Sequence, residues 1–258
     1  MTMKDPNGYN VRAVERALQI LECFDDENPE RGVSEISQVV GLHKATTHRI
    51  ITTLLNYGYM ERAPDGQKYR LGIRLTELGL KVVKHMDLRR EAEPYMRQFV
   101  TEWDETCDLS IFDHGEVFYI EVLRGSRALT IAAAIGQRLP AYCTASGKLF
   151  LAFLSPTALE SILGQKMTAF TVNTITSPEA IRNQLGTTRQ VGYAIDDEEL
   201  EVGIFAISAP IFNRQGNVIA AVGSPSPVSR MTPERMQGLT TAIKQTAQKI
   251  SHRMGWQG

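Results

Sequence analysis

The chain has 258 residues, and its content of 43% hydrophobic and 22% charged residues is typical of folded globular proteins. Its length exceeds what one small core uses, so two domains are expected. The 28 lysines and arginines nearly balance the 29 aspartates and glutamates, so net charge alone indicates no particular partner. No run of 18 apolar residues occurs, and the polar start lacks the apolar segment of a secretion signal. We therefore expect a cytoplasmic protein.

Cysteine and histidine positions argue against a metal site or a disulfide framework. The three cysteines, Cys23, Cys107 and Cys143, are an odd number without CxxC spacing. His43 and His48 are five positions apart, so on a helix they point about 140° away from each other and cannot chelate one ion. We expect reduced, buried thiols, no metal and no cofactor.

The first predicted element is a helix from about Val11 to Phe24. Its apolar stripe should pack beneath the elements that follow, and it consists of Val14, Ala17, Leu18 and Leu21. A second, shorter helix follows, and Ser34 is its expected N-cap because a serine hydroxyl can accept a first-turn amide. These two helices would form the base of one small domain.

Residues 33–72 read as two short helices around Gly41 and Leu42, followed by a two-stranded hairpin. The second of these helices should run from about His43 to Tyr57, with one apolar side and a polar side that includes Arg49. The hairpin turns at Pro64-Asp65-Gly66, where glycine can take a positive φ. This order of elements is that of a winged helix-turn-helix, so duplex DNA is the first partner to consider.

Local charge supports a DNA partner. Residues 43–84 contain eight lysines and arginines but only three aspartates and glutamates, an excess of five positive charges. A plain protein-interaction module remains the alternative, because helix-turn-helix pairs and basic helix faces also occur without DNA.

The segment GLHKATTHRIITTLLNYGYMER followed by YRLG resembles the recognition helix and wing of the IclR family of bacterial transcriptional regulators. The resemblance continues through residues 135–148, 192–199 and 228–235, so it covers nearly the whole chain. It implies DNA contacts from one helix and one wing, which we assign to His43, Lys44, Thr46, Thr47, Arg49, Thr53, Lys68 and Arg70. Family members usually carry proline, serine and valine where this chain has His43, Ala45 and Thr47.

The chain is expected to be an α+β protein in three parts. Residues 9–72 form the winged helix-turn-helix DNA-binding domain, residues 73–86 a linker helix, and residues 87–258 the effector domain. Beyond a helix with the stripe Ala92, Met96, Phe99 and Trp103, period-two patterns predict antiparallel hairpins, and the last helix should begin at Thr232-Pro233. The family resemblance implies that this domain is GAF-like, an antiparallel sheet covered by helices.

A predicted helix start at Ala145 and Ser146 offers unpaired amides to an anion, although Thr144 or Ser146 could equally be a plain cap. The resemblance implies that these two amides hold the carboxylate of a small metabolite. It also implies an acidic contact at Asp196 and further contacts and wall positions at Ile131, Leu139, Ile204, Ala206 and Ser224. The neighbouring acidic residues at 197, 198 and 199 are expected in a solvated turn.

An enzyme is the main alternative, because the stretch from Cys143 to Lys148 contains a thiol, hydroxyls and a lysine. A P-loop would require glycine at Tyr142 and serine or threonine at Leu149, and a nucleophile elbow would require glycine at 144 and 148. We therefore predict no enzyme but a DNA-binding transcriptional regulator, a homodimer or homotetramer, whose operator binding is modulated by a small carboxylated metabolite. The alternatives are a small-acid enzyme with a winged-helix interaction module and an architectural DNA binder.

Overall fold

The computed structural model of the chain describes residues 11–84, 87–127 and 133–258, except for the side chains at 80–87. The chain divides into two compact units, Met1–Met86 and Asp87–Gly258. In the part that is described, no helix is both long and apolar enough to cross a membrane.

The first unit is a winged helix-turn-helix, as predicted. Its elements in chain order are helices α1 (Arg12–Glu22), α2 (Val33–Val39) and α3 (Lys44–Asn56), strands β1 (Met60–Arg62) and β2 (Tyr69–Leu71), and helix α4 (Ile73–Lys84). The two strands are antiparallel, with Glu61 opposite Arg70, and the turn between them uses Gly66 at a φ of +71°. The predicted limits of the recognition helix are confirmed, because His43 and Tyr57 are its two caps.

The core of the first unit corrects the predicted stripe of α1. Ile20 is fully buried at its centre, whereas Val14 and Leu18 are 57% and 53% exposed. The helix is therefore rotated so that Ala17, Ile20 and Leu21 face the other helices. The sequence pattern could not decide this, since two overlapping apolar stripes occur on the same helix.

The predicted cap of α2 is also wrong. The helix begins at Val33 with Gly32 as its N-cap residue, so Ser34 lies inside the first turn. The carboxylate of Glu35 accepts a hydrogen bond from the Gly32 amide at 2.6 Å. A charged acceptor one turn into the helix thus satisfies the amide of the capping residue.

The second unit is built on one antiparallel sheet. Its strands are β3 (Cys107–Asp113), β4 (Glu116–Leu123), β5 (Arg138–Pro140), β6 (Ala194–Asp197), β7 (Ile204–Phe212) and β8 (Val218–Pro227), in the spatial order β5-β4-β3-β8-β7-β6. The predicted hairpins β3–β4 and β7–β8 are confirmed, and β8 joins them by pairing with β3. The predicted α+β class is therefore correct.

Helices cover this sheet. They are α5 (Asp87–Trp103), α6 (Ala145–Phe153), α7 (Pro156–Leu163), α8 (Pro178–Val191) and α9 (Pro233–Arg253). The predicted start of the last helix is confirmed, because the Thr232 hydroxyl accepts the Arg235 amide at 3.2 Å and Pro233 occupies the first turn. Helix α9 packs against β7 and α5, and α6 packs against α8 and against strands β6, β7 and β8.

One buried carboxylate joins three separate segments of the second unit. Glu105, just after α5, is 3% exposed and contacts Arg127, Arg230 and Arg235 at 3.4, 2.9 and 2.8 Å. Arg235 also donates to the Trp103 carbonyl at 3.0 Å. The start of α9 is thereby tied to the end of α5 through charged hydrogen bonds.

We expect Glu105→Gln to lower the free energy of unfolding by about 3 kcal/mol, because it leaves three guanidinium groups around a neutral amide. Urea denaturation followed by circular dichroism measures the change. The control is Glu160→Gln, which removes an exposed ion pair with Arg182 and should cost less than about 1 kcal/mol. Equal effects of the two variants would contradict the role assigned to Glu105.

Candidate functional site

The first candidate site is the solvent-facing side of α3 in the first unit. His43, Lys44, Arg49 and Thr53 are exposed, and Thr46 is partly exposed. The Thr53 hydroxyl donates to the Arg49 carbonyl at 3.1 Å, so it is turned towards its own backbone. This face combines positive charge with short polar side chains, the groups that proteins use to read phosphates and base edges.

Thr47 does not belong to this face. It is completely buried, and its hydroxyl donates to the His43 carbonyl at 3.2 Å. Thr47 precedes the core residues Ile51 and Leu54 by four and seven positions, which places all three on one side of the helix. The valine that family members carry at this position is the signal that indicates a core role.

The wing supplies positive charge in two different settings. Lys68 is exposed beside the turn, whereas the Arg70 guanidinium pairs with Glu61 at 2.6 Å across the two strands. Arg62, which we did not include among the site residues, lies over the Tyr69 ring at 5.3 Å from its centroid and is also exposed. Lys68 and Arg62 therefore present charge more openly than Arg70 does.

The second candidate site is a cavity of about 330 Å³ in the second unit. Seven of the eight predicted effector-binding residues line it, namely Leu139, Ala145, Ser146, Asp196, Ile204, Ala206 and Ser224. The eighth, Ile131, lies outside the described residues. The sheet and the start of α6 thus bring together positions that are far apart in the sequence.

The start of α6 is fixed by its cap. The Thr144 hydroxyl accepts the Gly147 amide at 3.2 Å and donates to the Pro140 carbonyl at 2.9 Å. Ser146 shares a hydrogen bond with Ser208 of β7 at 3.0 Å between the hydroxyl oxygens. Amides of the first turn have no intrahelical partners, so those of Ala145 and Ser146, two residues that line the cavity, are free to bind an anion.

Behind this helix start lies a buried ion pair. Lys148 is completely buried and donates to Glu199, which is 5% exposed. The prediction that residue 199 belongs to a solvated turn is therefore wrong, because its carboxylate is required as the partner of a buried cation. Asp196 accepts hydrogen bonds from the amides of Glu199 and Leu200 at 2.8 and 3.4 Å, and burial nevertheless raises its pKa to about 6.

Asp108 is the cavity residue that sequence reasoning missed. It lies on β3, is 5% exposed, and burial raises its pKa to about 7. Its Oδ1 is buried without a hydrogen-bond partner in the described part of the chain. The available signal was the alternation of Asp108 and Ser110 in a strand whose other face is apolar, which marks a polar face turned inwards.

Histidine, cysteine, aspartate and glutamate side chains do not gather in groups of three that could hold a metal within the described ranges. The thiol of Cys143, next to the cavity, has its pKa raised to about 12, first by burial and then by Asp196. A thiol with a raised pKa is a poor nucleophile at neutral pH.

The raised pKa values make stability depend on pH. The folded state retains protons on Asp108 and Asp196 that the unfolded chain releases near pH 4, so folding becomes less favourable as the pH rises from about 4 to about 7. We expect the wild type to lose more unfolding free energy than Asp108→Asn between pH 5 and pH 8, by on the order of a few kcal/mol.

Urea titrations at the two pH values test this expectation. Asp197→Asn, at an exposed neighbouring position, is the matched control and should follow the wild type. A pH dependence of Asp108→Asn as steep as that of the wild type would contradict the assignment.

Comparisons with known proteins find relatives of both parts of the chain. A family model described as the IclR helix-turn-helix domain matches residues 13–64, and one described as bacterial transcriptional regulator IclR C-terminal matches residues 80–252. The transcriptional regulator XynR of Escherichia coli is 36% identical over 247 residues, which cover 95% of this chain and 98% of that protein. KdgR of the same species is 35% identical over 253 residues, with 98% and 96% covered.

Solved structures show the same fold over nearly the full length. An IclR homolog from Microbacterium hydrocarbonoxydans, complexed with 4-hydroxybenzoate, has a TM-score of 0.85 at 28% identity and covers 94% of this chain and 98% of its own. The IclR structure of Thermotoga maritima has a TM-score of 0.76 at 28% identity, with 96% and 100% covered.

Proposed function

Because the chain belongs to the IclR family of bacterial transcriptional regulators, we propose that it is a one-component regulator that senses a small carboxylated metabolite. Helix α3 and the wing bind an operator in duplex DNA, and the cavity beside α6 binds the effector. One observation carries this proposal: the capped start of α6 lines a cavity of about 330 Å³. The same chain has an exposed, basic face on α3.

The DNA contacts follow from exposure and charge. Arg49 and Thr46 are the base-reading candidates because they share the exposed face of α3. Lys44, at the start of the helix, and Lys68, in the wing, contact phosphates and carry no sequence information. His43 and Thr53 flank this surface, and Arg70 contributes only the charge that Glu61 leaves unneutralised.

The effector is an anion held by the amides of Ala145 and Ser146. The ligand in the Microbacterium relative, 4-hydroxybenzoate, is itself a carboxylate, which supports an acid in the corresponding place here. Leu139, Ile204 and Ala206 provide apolar wall against the carbon skeleton. Repression and activation are both compatible with this arrangement.

Self-association completes the proposal. Val11, Val14 and Leu18 form an apolar stripe on α1 with 65, 57 and 53% exposure, and a second copy would bury it. A homodimer places two α3 helices in successive major grooves of a pseudo-palindromic operator, and a homotetramer pairs two such dimers. We assign residues 9–72 to DNA, 73–86 to the linker and 87–258 to a GAF-like effector domain of a cytoplasmic protein.

The alternative of a small-acid enzyme is not favoured. The relatives are transcriptional regulators, and the raised pKa of the Cys143 thiol opposes nucleophilic catalysis.

We expect Arg49→Ala and Thr46→Ala each to weaken operator binding by about 1–3 kcal/mol with little effect on scrambled duplex, whereas Lys44→Ala weakens both duplexes alike. Gel-shift titrations with the two duplexes separate these classes. Wild-type affinity should also fall by roughly 10³ to 10⁵ between about 50 and 200 mM salt, if a dimer neutralises about 6–10 phosphates.

Thr47→Val is the control for the recognition-helix variants, because it replaces a buried hydroxyl by a methyl group of similar size. It should leave operator affinity unchanged. Unchanged affinity for the Arg49, Thr46 and Lys44 variants would refute the assignment of α3 as the recognition helix.

Effector binding and operator binding should be coupled by about 1–3 kcal/mol, so an effector changes operator affinity and operator changes effector affinity by the same factor. We expect Ser146→Pro, which removes an amide donor, and Asp196→Ala to weaken effector binding while effector-free protein still binds operator. Calorimetric titration with 4-hydroxybenzoate and other small acids, with and without operator duplex, measures this coupling.

Ser146→Ala is the matched control, because it loses the hydroxyl bonded to Ser208 but keeps the backbone amide. It should retain most of the effector affinity that Ser146→Pro loses. Identical effector affinity with and without operator in the wild type would rule out regulation by the bound acid.

A further inference from the structure

An unpaired carboxyl group lies in the wall of the proposed effector cavity, and the inference drawn from it rests on that cavity's proposed function. Asp108 lines the cavity and is 95% buried. Its Oδ1 has no hydrogen-bond partner in the described residues, and burial alone accounts for its raised pKa. Asp196, the other deeply buried carboxylate in the described cavity wall, accepts hydrogen bonds from two backbone amides.

A buried polar group without a partner is costly, so its retention calls for a physical reason. Asp108 is opposite Gly223 in the pairing of β3 with β8. A Cβ at position 223 would lie 2.8 Å from the Asp108 Oδ1, closer than any real contact allows. The glycine thus makes room for the carboxyl group in the cavity wall, and a ligand in the cavity is the partner that could satisfy it.

The position of Asp108 limits the chemistry of this ligand. Asp108 is on β3 and Asp196 on β6, and β8 and β7 lie between these strands. Three strand spacings would correspond to about 14 Å in a flat sheet, so the two carboxyls are separate acceptors in the cavity wall. A third polar feature, the start of α6, takes the anion. A ligand that serves all three features combines one carboxylate with a hydrogen-bond donor for Asp108 and a second donor for Asp196, whose two backbone amides both bind Oδ1.

We propose that Asp108 is a specificity-determining residue that accepts a hydrogen bond from a hydroxyl group of the effector, and that the effector is an aliphatic acid with several hydroxyl groups. Its carboxylate binds the amides of Ala145 and Ser146, and two of its hydroxyls donate to Asp108 and Asp196. The apolar positions at Leu139, Ile204 and Ala206 contact the carbon chain. A plain aliphatic acid has no donor for either carboxyl, and 4-hydroxybenzoate, with one phenolic hydroxyl, has a donor for only one of them.

Calorimetry on the full-length protein tests this proposal with pairs of acids that have equal chain length. The probes are D-gluconate against hexanoate, D-ribonate against pentanoate, and in addition 4-hydroxybenzoate and norleucine. We expect at least one hydroxylated acid to bind at least ten times more tightly than its unhydroxylated counterpart. It should exceed the affinities of 4-hydroxybenzoate and norleucine by the same factor. The same acid should change operator affinity in gel shifts.

Variants assign this discrimination to Asp108. Asp108→Leu should reduce the preference for the hydroxylated acid to less than threefold, because it weakens the binding of that acid and not the binding of the plain acid. Gly223→Ala should act in the same direction although the Asp108 side chain is retained, because the new methyl group displaces the carboxyl. The control is Asp113→Asn, at the partly exposed end of the same strand and outside the cavity lining, which should leave both affinities unchanged.

The outcomes separate the two proposals. Tight binding of 4-hydroxybenzoate or a plain acid, with an effect on operator affinity, would overturn the hydroxy-acid inference but support the regulator. Preferential binding of norleucine would assign Asp108 to an ammonium group and also overturn it. Discrimination that survives in both folded variants would remove Asp108 from the recognition. Failure of every acid to bind would overturn the effector site itself.

Discussion

The ion pair between Lys148 and Glu199 is the interaction on which the proposed effector cavity depends. Lys148 is in α6 and fully buried, and Glu199 lies in the connection between β6 and β7. Removing either partner would leave an uncompensated charge inside the protein, which typically costs about 3–5 kcal/mol. The pair therefore holds the start of α6 against the connection that follows Asp196 and β6. This one contact joins the start of α6 to the segment after Asp196. Neither segment can move away from the other without leaving a buried charge unpaired.

Close packing around Gly147 fixes the same helix start from the other side. A Cβ there would collide with the backbone of Ala141 and with the Thr144 hydroxyl, so only glycine lets α6 begin so near the preceding turn. The Thr144 cap then orients the first-turn amides, and the bond between Ser146 and Ser208 ties them to β7. An anion-binding helix start needs this rigidity, because amides that had to be ordered during binding would lose part of the affinity to entropy.

The sequence predicted elements whose signals are local and missed those decided by packing. The recognition helix, its caps and the turn at Gly66 follow from periodicity and from the freedom of glycine, and the family motifs located most of the cavity wall. The predictions for Thr47 and Glu199 were wrong because a polar residue is expected to be exposed unless the residue that it bonds to in the fold is known. Asp108 belongs to no motif, and its alternation with Ser110 could not show that it lies beside Gly223, which is 115 positions later in the chain and adjacent only after β3 and β8 pair.

The electrostatics of the cavity bear on how one small molecule could alter a regulator. Asp108 and Asp196 have raised pKa values because they are buried, so the fold opposes the ionisation of these two carboxyls. A ligand that donates hydrogen bonds to Asp108 and Asp196, and whose carboxylate binds the start of α6, offsets the cost of burying both carboxyls. An acid without donor groups offsets this cost for neither carboxyl. An effector can shift an equilibrium only by its difference in affinity between two states. A ligand that bonds to polar groups on β3, β6 and α6 at once would gain such a difference wherever the two states differ in the spacing of these elements, because a changed spacing breaks some of its contacts.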